Sequence, residues 1–380
     1  MDSIYLDNNA TTPLLPAVWE AMRAAADRFG NAASAHHVGR RARQALEDAR
    51  ERCAALLGAH PDELIFTSGA TEANNLAIFG LAGDPPGHIV VSPIEHPSVT
   101  EPIQRLAKLG FLVESLPVDS TGVVSPSCLG EHIRSDTHLV CVMLANHETG
   151  AVEPIRELAG ANGGRARFHC DAVQAAGKKV LDFHDLGVTS LSISAHKFHG
   201  PQGIGALLLR RGTKLIPLVW GGHQQHGFRP GTEPIALAIG MAAALDVAVR
   251  DAAAHECHVR RLRAQFLERL RADAAPMALN GPAEGGMPHT LNLSFPGCQA
   301  DSLLMNLDLA GVACSTGSAC SSGSLLPSPV LKAMGVSDVV LRSAMRFSLS
   351  ALLSEAEVAE AARRIAAVVK RLRQIEETTG

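Results

Sequence analysis

Lys197 lies in the segment SAHKFHG, between two histidines and directly after the apolar run LSIS at 191–194. A lysine at the end of a strand is most often a solvated surface residue. In a partly desolvated pocket, however, its pKa falls, and the neutral amine can form a Schiff base with an aldehyde. Pyridoxal 5′-phosphate (PLP) is an aldehyde that also needs a phosphate site. Lys197 therefore predicts three further parts: a phosphate cradle, a carboxylate for the pyridine nitrogen and a group that covers the ring.

Each of these three parts has a candidate in the sequence. The segment TSGATEANN passes at 67–75 from a strand into a helix. The N–H groups of a helix start, with the Thr71 hydroxyl, suit a phosphate, although an ordinary capped helix gives the same pattern. Asp171 ends the run RFHCD, where its carboxylate could pair with a pyridinium nitrogen or with a buried protein cation. His96 could stack on the ring and move protons, or simply begin a helix.

Near-continuous apolar runs alternate with helical patterns over the first half of the chain. Such runs are typical of an α/β fold in which helices cover both faces of a mostly parallel sheet. Functional residues gather at the carboxyl ends of such strands, and TSGATE, SPIEHPS, NHETG, DAVQ and SAHK follow the runs closely. The predicted strands are ELIFT (63–67), HIVVS (88–92), HLVCVMLA (138–145), RFHCDA (167–172), LSIS (191–194) and IGALLL (204–209).

The pattern changes after the last of these runs. A long Ala-rich helical stretch looks like a connection between two domains. Beyond it, the strand-like segments TLNLSF and MRFSLS flank a helix and a Gly/Ser-rich segment, and a last helix opens with a capping box of Ser354 and Glu357. We therefore expect a large domain over 15–255 and a smaller α+β domain formed by 1–14 with 256–380.

Composition argues against several classes of function. The chain has 380 residues, of which 46% are hydrophobic, and a net charge of −4 without a basic run, so neither nucleic-acid binding nor a membrane span is expected. The N-terminus lacks the basic and apolar regions of a secretory signal. Eight cysteines without a CxxC pair favour reduced thiols in the cytoplasm. The histidines lack the paired spacing of a structural zinc site, so no metal is predicted.

Ten segments in register along almost the whole chain resemble the cysteine desulfurase family, in the branch that serves iron–sulfur cluster assembly. This family belongs to the class-V aminotransferase-like, fold-type I PLP enzymes. The resemblance implies a large domain with a mostly parallel seven-stranded sheet between helices, and a smaller α+β C-terminal domain. The segments are YLDNNATTP, GNAASAHHVGR, FTSGATEANNLAI, EHPSV, NHETGAV, HCDAVQAAGK, SAHKFHGPQGIGAL, RPGTEPI, STGSACSSGSLLPSPVLKAMG and RFSLS.

By this resemblance, Lys197 is the Schiff-base lysine and His96 the ring-stacking acid or base. Asp171 pairs with the pyridinium nitrogen, and Gln174 donates to the ring hydroxyl oxygen. Arg346 grips the substrate carboxylate, a bidentate task that suits its fork of donors. One phosphate contact comes from a neighbouring subunit, which implies a homodimer with shared active sites. The residues expected at the phosphate are Ala70, Thr71, Ser194 and His196, with Thr232 as the neighbour's contribution.

Cys320 distinguishes this family from ordinary aminotransferases. It lies in STGSACSSGS, whose glycines and serines predict an exposed loop, where a thiol is more often a nucleophile than a packed core residue. The resemblance implies that the Cys320 thiolate attacks the sulfur of L-cysteine, which leaves L-alanine and a persulfide on Cys320. The length of the loop implies that Cys320 swings out to a sulfur-acceptor protein, such as an iron–sulfur scaffold or a thiolation relay.

Among the departures from the family pattern, two concern residues with reactive side chains near the predicted site. His147 occupies a position where relatives usually carry an asparagine that contacts the ring hydroxyl and the substrate. Because histidine titrates near neutrality, we expect an altered pH profile or substrate preference. Cys314 lies six residues before Cys320, where relatives often have a small residue. It could form a disulfide that quenches the persulfide, or pack in the core.

Other functions are compatible with the same residues. A selenocysteine lyase would need the same catalytic residues. An aminotransferase would have the same fold but would not need Cys320. A catalytically idle sulfur-transfer scaffold would be expected to lack Lys197 or Cys320, and both are present. The sequence does not name the sulfur acceptor or its pathway.

Overall fold

A computed structural model describes residues 3–317 and 327–379 of the chain. The strands are β1 (Ile4–Tyr5), β2 (Leu64–Thr67), β3 (His88–Val91), β4 (Leu112–Ser115), β5 (Thr137–Cys141), β6 (Arg167–Asp171), β7 (Ser190–Ser194), β8 (Gly205–Leu209), β9 (Ala278–Asn280), β10 (Thr290–Ser294), β11 (Val312–Ala313) and β12 (Ala344–Ser348). A seven-stranded sheet has the order β2-β8-β7-β6-β5-β3-β4, in which β8 is antiparallel to both neighbours and the other neighbouring pairs are parallel.

Helices cover both faces of this sheet, and the alternation of side chains along each strand explains why. In β2, Leu64 and Phe66 pack in the apolar core on one face of the sheet, and Ile65 packs in the core on the other face. In β8, Leu208 belongs to the first of these cores and Leu207 to the second. A strand buried on both faces therefore consists almost entirely of apolar residues. The helices are α1 (Pro16–Ala24), α2 (His37–Leu56), α3 (Ala70–Ala82), α4 (Pro97–Lys108), α5 (Pro126–His132), α6 (Ile155–Asn162), α7 (Phe183–Leu186), α8 (Ile235–Arg250), α9 (Ala252–Asp273), α10 (Ala300–Leu309), α11 (Pro329–Ala333), α12 (Asp338–Leu341) and α13 (Glu355–Thr379).

A separate apolar core lies in the C-terminal part of the chain. It joins Ile4 and Leu6 of the N-terminal arm to residues between Val259 and Val369. Here β12, β10 and β9 form an antiparallel sheet, and β1 pairs with β11. The division of the chain near residue 255, with the arm assigned to the smaller domain, stays a prediction.

Each predicted strand is present in the structure, whereas β1, β4, β9 and β11 were not predicted, and two further predictions differ in detail. Strand β4 was missed, because it is a short edge strand with the half-exposed sequence LVES. Strand β5 ends at Cys141 instead of Ala145, and the rest of that apolar run is buried without strand structure. The Ala-rich stretch is two helices, α8 and α9, separated at Asp251. No helix in the described ranges is long and apolar enough to cross a membrane.

Candidate active site

A cavity of about 530 Å³ opens at the carboxyl ends of the central strands. Strand β2 leads through Gly69 into α3, β6 ends at Asp171, and β7 ends at Ser194, three residues before Lys197. These strands run in one direction, so their carboxyl ends meet at the same edge of the sheet. The predicted site residues that line the cavity are Ala70, Thr71, His96, His147, Asp171, Gln174, Ser194, His196, Lys197 and Arg346.

The side-chain amine of Lys197 is held by the N-terminal arm. Its Nζ donates to the carbonyl oxygens of Asn9 and Ala10, at 2.5 and 2.9 Å. The arm also contacts the preceding residue, because Thr11 Oγ1 lies 3.1 Å from His196 Nδ1. These contacts hold the reactive end of Lys197 in place within the cavity lining.

The Asp171 carboxylate is buried, with 5% of its surface exposed. Its Oδ1 accepts from the Val173 backbone N–H at 2.9 Å, and its Oδ2 accepts from the Asn74 amide at 2.7 Å. Among the described residues, no lysine, arginine or histidine forms an ion pair with it. A buried carboxylate needs a cationic or N–H partner, and a protonated pyridine nitrogen would meet that need.

His96 is the N-cap residue of helix α4 and also lines the cavity, so its role in the helix start leaves the interpretation as a ring-covering residue open. Its Nδ1 accepts from the Ser98 backbone N–H at 3.1 Å and lies 2.8 Å from the Ser98 hydroxyl. Burial lowers the pKa of His96 below its usual value, and the charges of Lys197 and Arg346 act in the same direction.

His147 lies beside His96, edge to face, with 5.3 Å between the ring centroids. Burial lowers the pKa of His147 well below its usual value, and the charges of His96 and Arg346 contribute. The imidazole is therefore neutral at physiological pH, which contradicts our expectation that it titrates near neutrality. Its buried Nδ1 has no hydrogen-bond partner among the described residues.

The Gln174 amide is oriented by two neighbours. Its Nε2 donates to the Asn9 carbonyl oxygen at 3.0 Å, and its Oε1 accepts from Lys178 Nζ at 3.1 Å. Burial lowers the pKa of Lys178 to about 7, and the charge of Lys197 adds to this effect. The second amide hydrogen of Gln174 is the one suited to a ring hydroxyl oxygen.

Arg346 is buried on β12 of the antiparallel C-terminal sheet. Its Nη2 forms an ion pair with Asp7 Oδ1 at 2.7 Å, and its Nη1 donates to the His147 carbonyl oxygen at 3.3 Å. Its buried Nε has no partner in the part of the chain that the structure describes. A guanidinium with an unused donor fits a ligand carboxylate.

The part of the cavity beside the start of helix α3 has the features of an anion site. Helix α3 begins at Ala70, so the N–H groups of its first turn have no intrahelical acceptor. A Cβ placed on Gly69 would meet only Ser194 Oγ, at 3.8 Å, so the space beside the helix start is open. Burial lowers the pKa of His196 to about 4. Helix N–H groups with the hydroxyls of Thr71 and Ser194 suit a phosphate.

Thr232 and Cys320 complete the set of predicted site residues. Thr232 is exposed and does not line the cavity. Cys320 belongs to 318–326, which lies outside the described residues. Cys314 follows β11, and burial raises the pKa of its thiol to about 12. This low acidity favours the core interpretation of Cys314 over a reactive thiol.

Sequence analysis missed two contributions to the site. The N-terminal arm supplies the carbonyl groups that hold Lys197 and the carboxylate of Asp7 at Arg346. The polar run DNNATT within an otherwise strand-like start was the available signal. The other contribution is Asn74, whose buried amide contacts Asp171. Its position in the first turns of α3 resembles that of many exposed asparagines, so no sequence signal distinguished it.

One group of possible metal ligands lies away from this cavity. Within the described residues, His60, Glu63 and His184 place their ligand atoms within 4.8 Å of one another. Glu63 already accepts from His184 Nε2 at 2.7 Å and from the His60 backbone N–H at 2.9 Å. Arg210 Nη1 lies 3.3 Å from His184 Nδ1. The Glu63 carboxylate and the His184 ring are therefore already satisfied by protein groups.

Comparison with known proteins identifies relatives along the whole chain. The class-V aminotransferase family profile matches residues 4–360. Cysteine desulfurase IscS of Dictyoglomus turgidum is 43% identical over 377 residues, which cover 98% of this chain and 96% of that protein. The IscS-like cysteine desulfurase of Mycobacterium tuberculosis is 42% identical over 381 residues, which cover 97% of each chain.

Solved structures show the same similarity in three dimensions. A NifS-like protein superposes with a TM-score of 0.91 at 34% identity, and covers 97% of this chain and 100% of its own. A structure described as SspA in complex with cysteine superposes with a TM-score of 0.82 at 34% identity, and covers 92% of this chain and 99% of its own.

Proposed function

The chain belongs to the cysteine desulfurase family of class-V aminotransferases, which are PLP enzymes, and on this premise we propose that it removes sulfur from L-cysteine and leaves L-alanine and a persulfide on Cys320. One cavity that combines Lys197, Asp171 and Arg346 carries the proposal. These residues offer an amine for an aldehyde, a buried anion for a pyridinium nitrogen and a cation for a substrate carboxylate.

The cavity residues fit PLP at each of its functional groups. Asp171 would keep the pyridine nitrogen protonated, and Gln174 would donate to the ring hydroxyl oxygen. His96 would cover the ring. The phosphate would be held by Ala70, Thr71, Ser194 and His196. Bound there, PLP supplies an aldehyde carbon for the amine of Lys197 and a ring that withdraws electrons from the substrate.

The remaining residues bind the substrate and move its protons. Arg346 would bind the carboxylate of L-cysteine, since its ion pair with Asp7 fixes the guanidinium and leaves Nε available. The amine of Lys197 can take the proton from the substrate α-carbon. The carbonyl groups of Asn9 and Ala10 would stabilise the resulting ammonium, because both already accept from Nζ.

Cys320 completes the reaction as the nucleophile. Its thiolate forms a bond to the substrate sulfur while the carbon–sulfur bond of the substrate breaks, and the carbon is protonated to give L-alanine. The sulfur stays on Cys320 as a persulfide, and an acceptor thiol or an added reductant then removes it. Sequence position and the family resemblance support this role.

We also infer a homodimer with shared active sites. Thr232 is exposed outside the cavity, as expected for a residue that would contact the cofactor of a neighbouring subunit. The segment 216–220 exposes several large apolar side chains, which supports an interface there. These side chains are Ile216, Leu218, Val219 and Trp220, of which Trp220 is 79% exposed.

The persulfide sulfur of Cys320 would pass to an acceptor protein. We infer an acceptor protein in iron–sulfur cluster assembly or in the thiolation of a cofactor or tRNA, because the chain resembles IscS proteins along its length. The cysteine content, eight residues without a CxxC pair, supports a reducing compartment such as the cytoplasm.

The test is an assay of the purified protein with L-cysteine and a reductant, in which alanine and sulfide are quantified together. Equal amounts of both, lost in Cys320→Ala, would establish desulfuration through Cys320. Cys314→Ala is the matched control and should keep the activity. Neither product with PLP bound would contradict the proposal, and L-selenocysteine and pyruvate would then be tested as alternative substrates.

A further inference from the structure

Asn74 is fully buried in helix α3, and all hydrogen-bonding positions of its amide are used. Its Nδ2 donates to Asp171 Oδ2 at 2.7 Å and to Ser98 Oγ at 2.8 Å. Its Oδ1 accepts from His169 Nε2 at 2.9 Å and from the Ser192 hydroxyl. A completely satisfied buried amide is rigid, because any rotation would leave polar groups without partners.

The chemistry of Asp171 determines which way this amide faces. An ionised carboxylate only accepts hydrogen bonds, so the nitrogen of Asn74 must face Asp171 and the oxygen must face the opposite side. His169 then donates from Nε2, and its Nδ1 accepts from the Ser190 hydroxyl at 2.9 Å. Burial lowers the pKa of His169 to about 3, which agrees with a single proton on that ring.

Ser98 extends this arrangement to His96. The Ser98 oxygen accepts from Asn74, so its own hydrogen is free to point at His96 Nδ1, 2.8 Å away. The Ser98 backbone N–H, which can only donate, reaches the same Nδ1 at 3.1 Å. A ring nitrogen that accepts two hydrogen bonds carries no proton, so neutral His96 holds its proton on Nε2.

We propose that Asn74 is a positioning residue for two catalytic side chains at once: one amide hydrogen orients the Asp171 carboxylate, and the other directs the Ser98 hydroxyl onto His96 Nδ1, where it acts with the Ser98 backbone N–H to keep the proton of His96 on Nε2. This inference rests on the roles of Asp171 and His96 in the proposed function. A single buried side chain then fixes both the orientation of Asp171, which would face the pyridine nitrogen, and the proton position of His96, which would cover the ring.

Three substitutions separate the two halves of this role. Asn74→Ala removes both hydrogen bonds. Ser98→Ala removes only the connection to His96 and leaves the bond between Asn74 and Asp171 in place. Ser190→Ala is the matched control, because it removes a buried hydroxyl from the same network but touches neither Asp171 nor His96.

Two measurements on each variant do not depend on turnover. The first is a long-range ¹H–¹⁵N spectrum of histidine-labelled protein, in which the His96 signals are assigned by their loss in His96→Gln. The second is the dissociation constant for PLP, titrated into the apoprotein. The kcat and KM for L-cysteine are measured in parallel.

We expect the wild-type protein to carry the His96 proton on Nε2. Asn74→Ala should weaken PLP binding about tenfold or more, the loss that follows from one hydrogen bond to a charged group, and should lower kcat with little change in KM. Ser98→Ala should disturb the His96 signals and kcat, with PLP binding within about twofold of wild type. Ser190→Ala should resemble wild type in all of these measurements.

Two outcomes would overturn the inference: a wild-type His96 protonated on Nδ1, or an Asn74→Ala protein that matches Ser190→Ala in PLP affinity and kcat. If Asn74→Ala does not fold, the wild-type spectrum and Ser98→Ala still decide the connection to His96. Failure of the proposed function would appear differently, as an absence of alanine in every protein including wild type, with the spectra and PLP affinities still distinguishing the variants.

Discussion

Arg346 and Asp7 lie 339 positions apart in sequence, yet Arg346 Nη2 is 2.7 Å from Asp7 Oδ1. The arginine side chain is 3% exposed and the aspartate 21%. The N-terminal arm thus carries a fixed negative charge to the residue proposed to bind the substrate carboxylate. The ion pair holds the guanidinium in one orientation, which is the condition for recognising a planar carboxylate.

Replacement of this arginine tests its role in substrate binding. For Arg346→Lys we expect the KM for L-cysteine to rise about ten- to a hundredfold, because lysine keeps the charge but loses the bidentate donor geometry. Steady-state kinetics measure the effect. The dissociation constant for PLP serves as the control and should stay within about twofold. A KM equal to that of the wild type would exclude Arg346 as the carboxylate ligand.

His147→Asn tests whether this histidine titrates during catalysis. Burial holds the pKa of His147 well below its usual value, so the ring does not gain a proton near neutral pH. We therefore expect wild type and variant to share the same pH dependence of kcat, even where their KM values differ. An ionisation near neutrality that is present in wild type and missing in the variant would show that the charge of His147 matters.

Glu153 is expected to reduce stability at alkaline pH. Burial raises its pKa from 4.5 to about 8, and the charge of Asp119 contributes. Between these values the unfolded chain has lost the proton that the folded chain keeps, so stability falls as pH rises through this window. For Glu153→Gln we expect a free energy of unfolding higher by about 2 to 4 kcal/mol at pH 8, with little difference at pH 4.

Urea unfolding at both pH values measures the Glu153 effect. Glu157→Gln is the matched control, because Glu157 is exposed only four positions away and should change stability by less than about 0.5 kcal/mol. Equal stabilities of wild type and Glu153→Gln at pH 8 would mean that Glu153 is ionised in the folded protein.

The inferred dimer interface can be tested at Trp220. A charge placed in a buried apolar interface lacks a partner, so Trp220→Glu should shift the protein toward monomer in sedimentation velocity. Leu309→Glu is the control, since Leu309 is 83% exposed on a different part of the fold and should not change the oligomeric state. A Trp220→Glu protein that sediments like wild type would place the interface elsewhere.

Much of the fold and several site residues could be predicted because their signals are local. Buried strands are apolar runs, and the polar residues that follow Thr67, Asp171 and Ser194 stand at strand ends. The capping box of the last helix is equally local, and Ser354 and Glu357 form both of its hydrogen bonds, at 2.8 and 3.2 Å. Residues that act within a few positions of one another leave a pattern in the sequence.

The sequence by itself determined which chemical groups are present and at which strand ends they stand. Only the tertiary structure decided which of these groups form hydrogen bonds with one another. Asn74 meets Asp171 across 97 positions, and Lys197 meets the carbonyl of Asn9 across 188. Such pairs form only when separate elements pack together. The sequence around a polar residue does not indicate which distant residue will be its partner. The neutral state of His147 has the same origin, because burial against distant elements, not its residue type, sets its pKa.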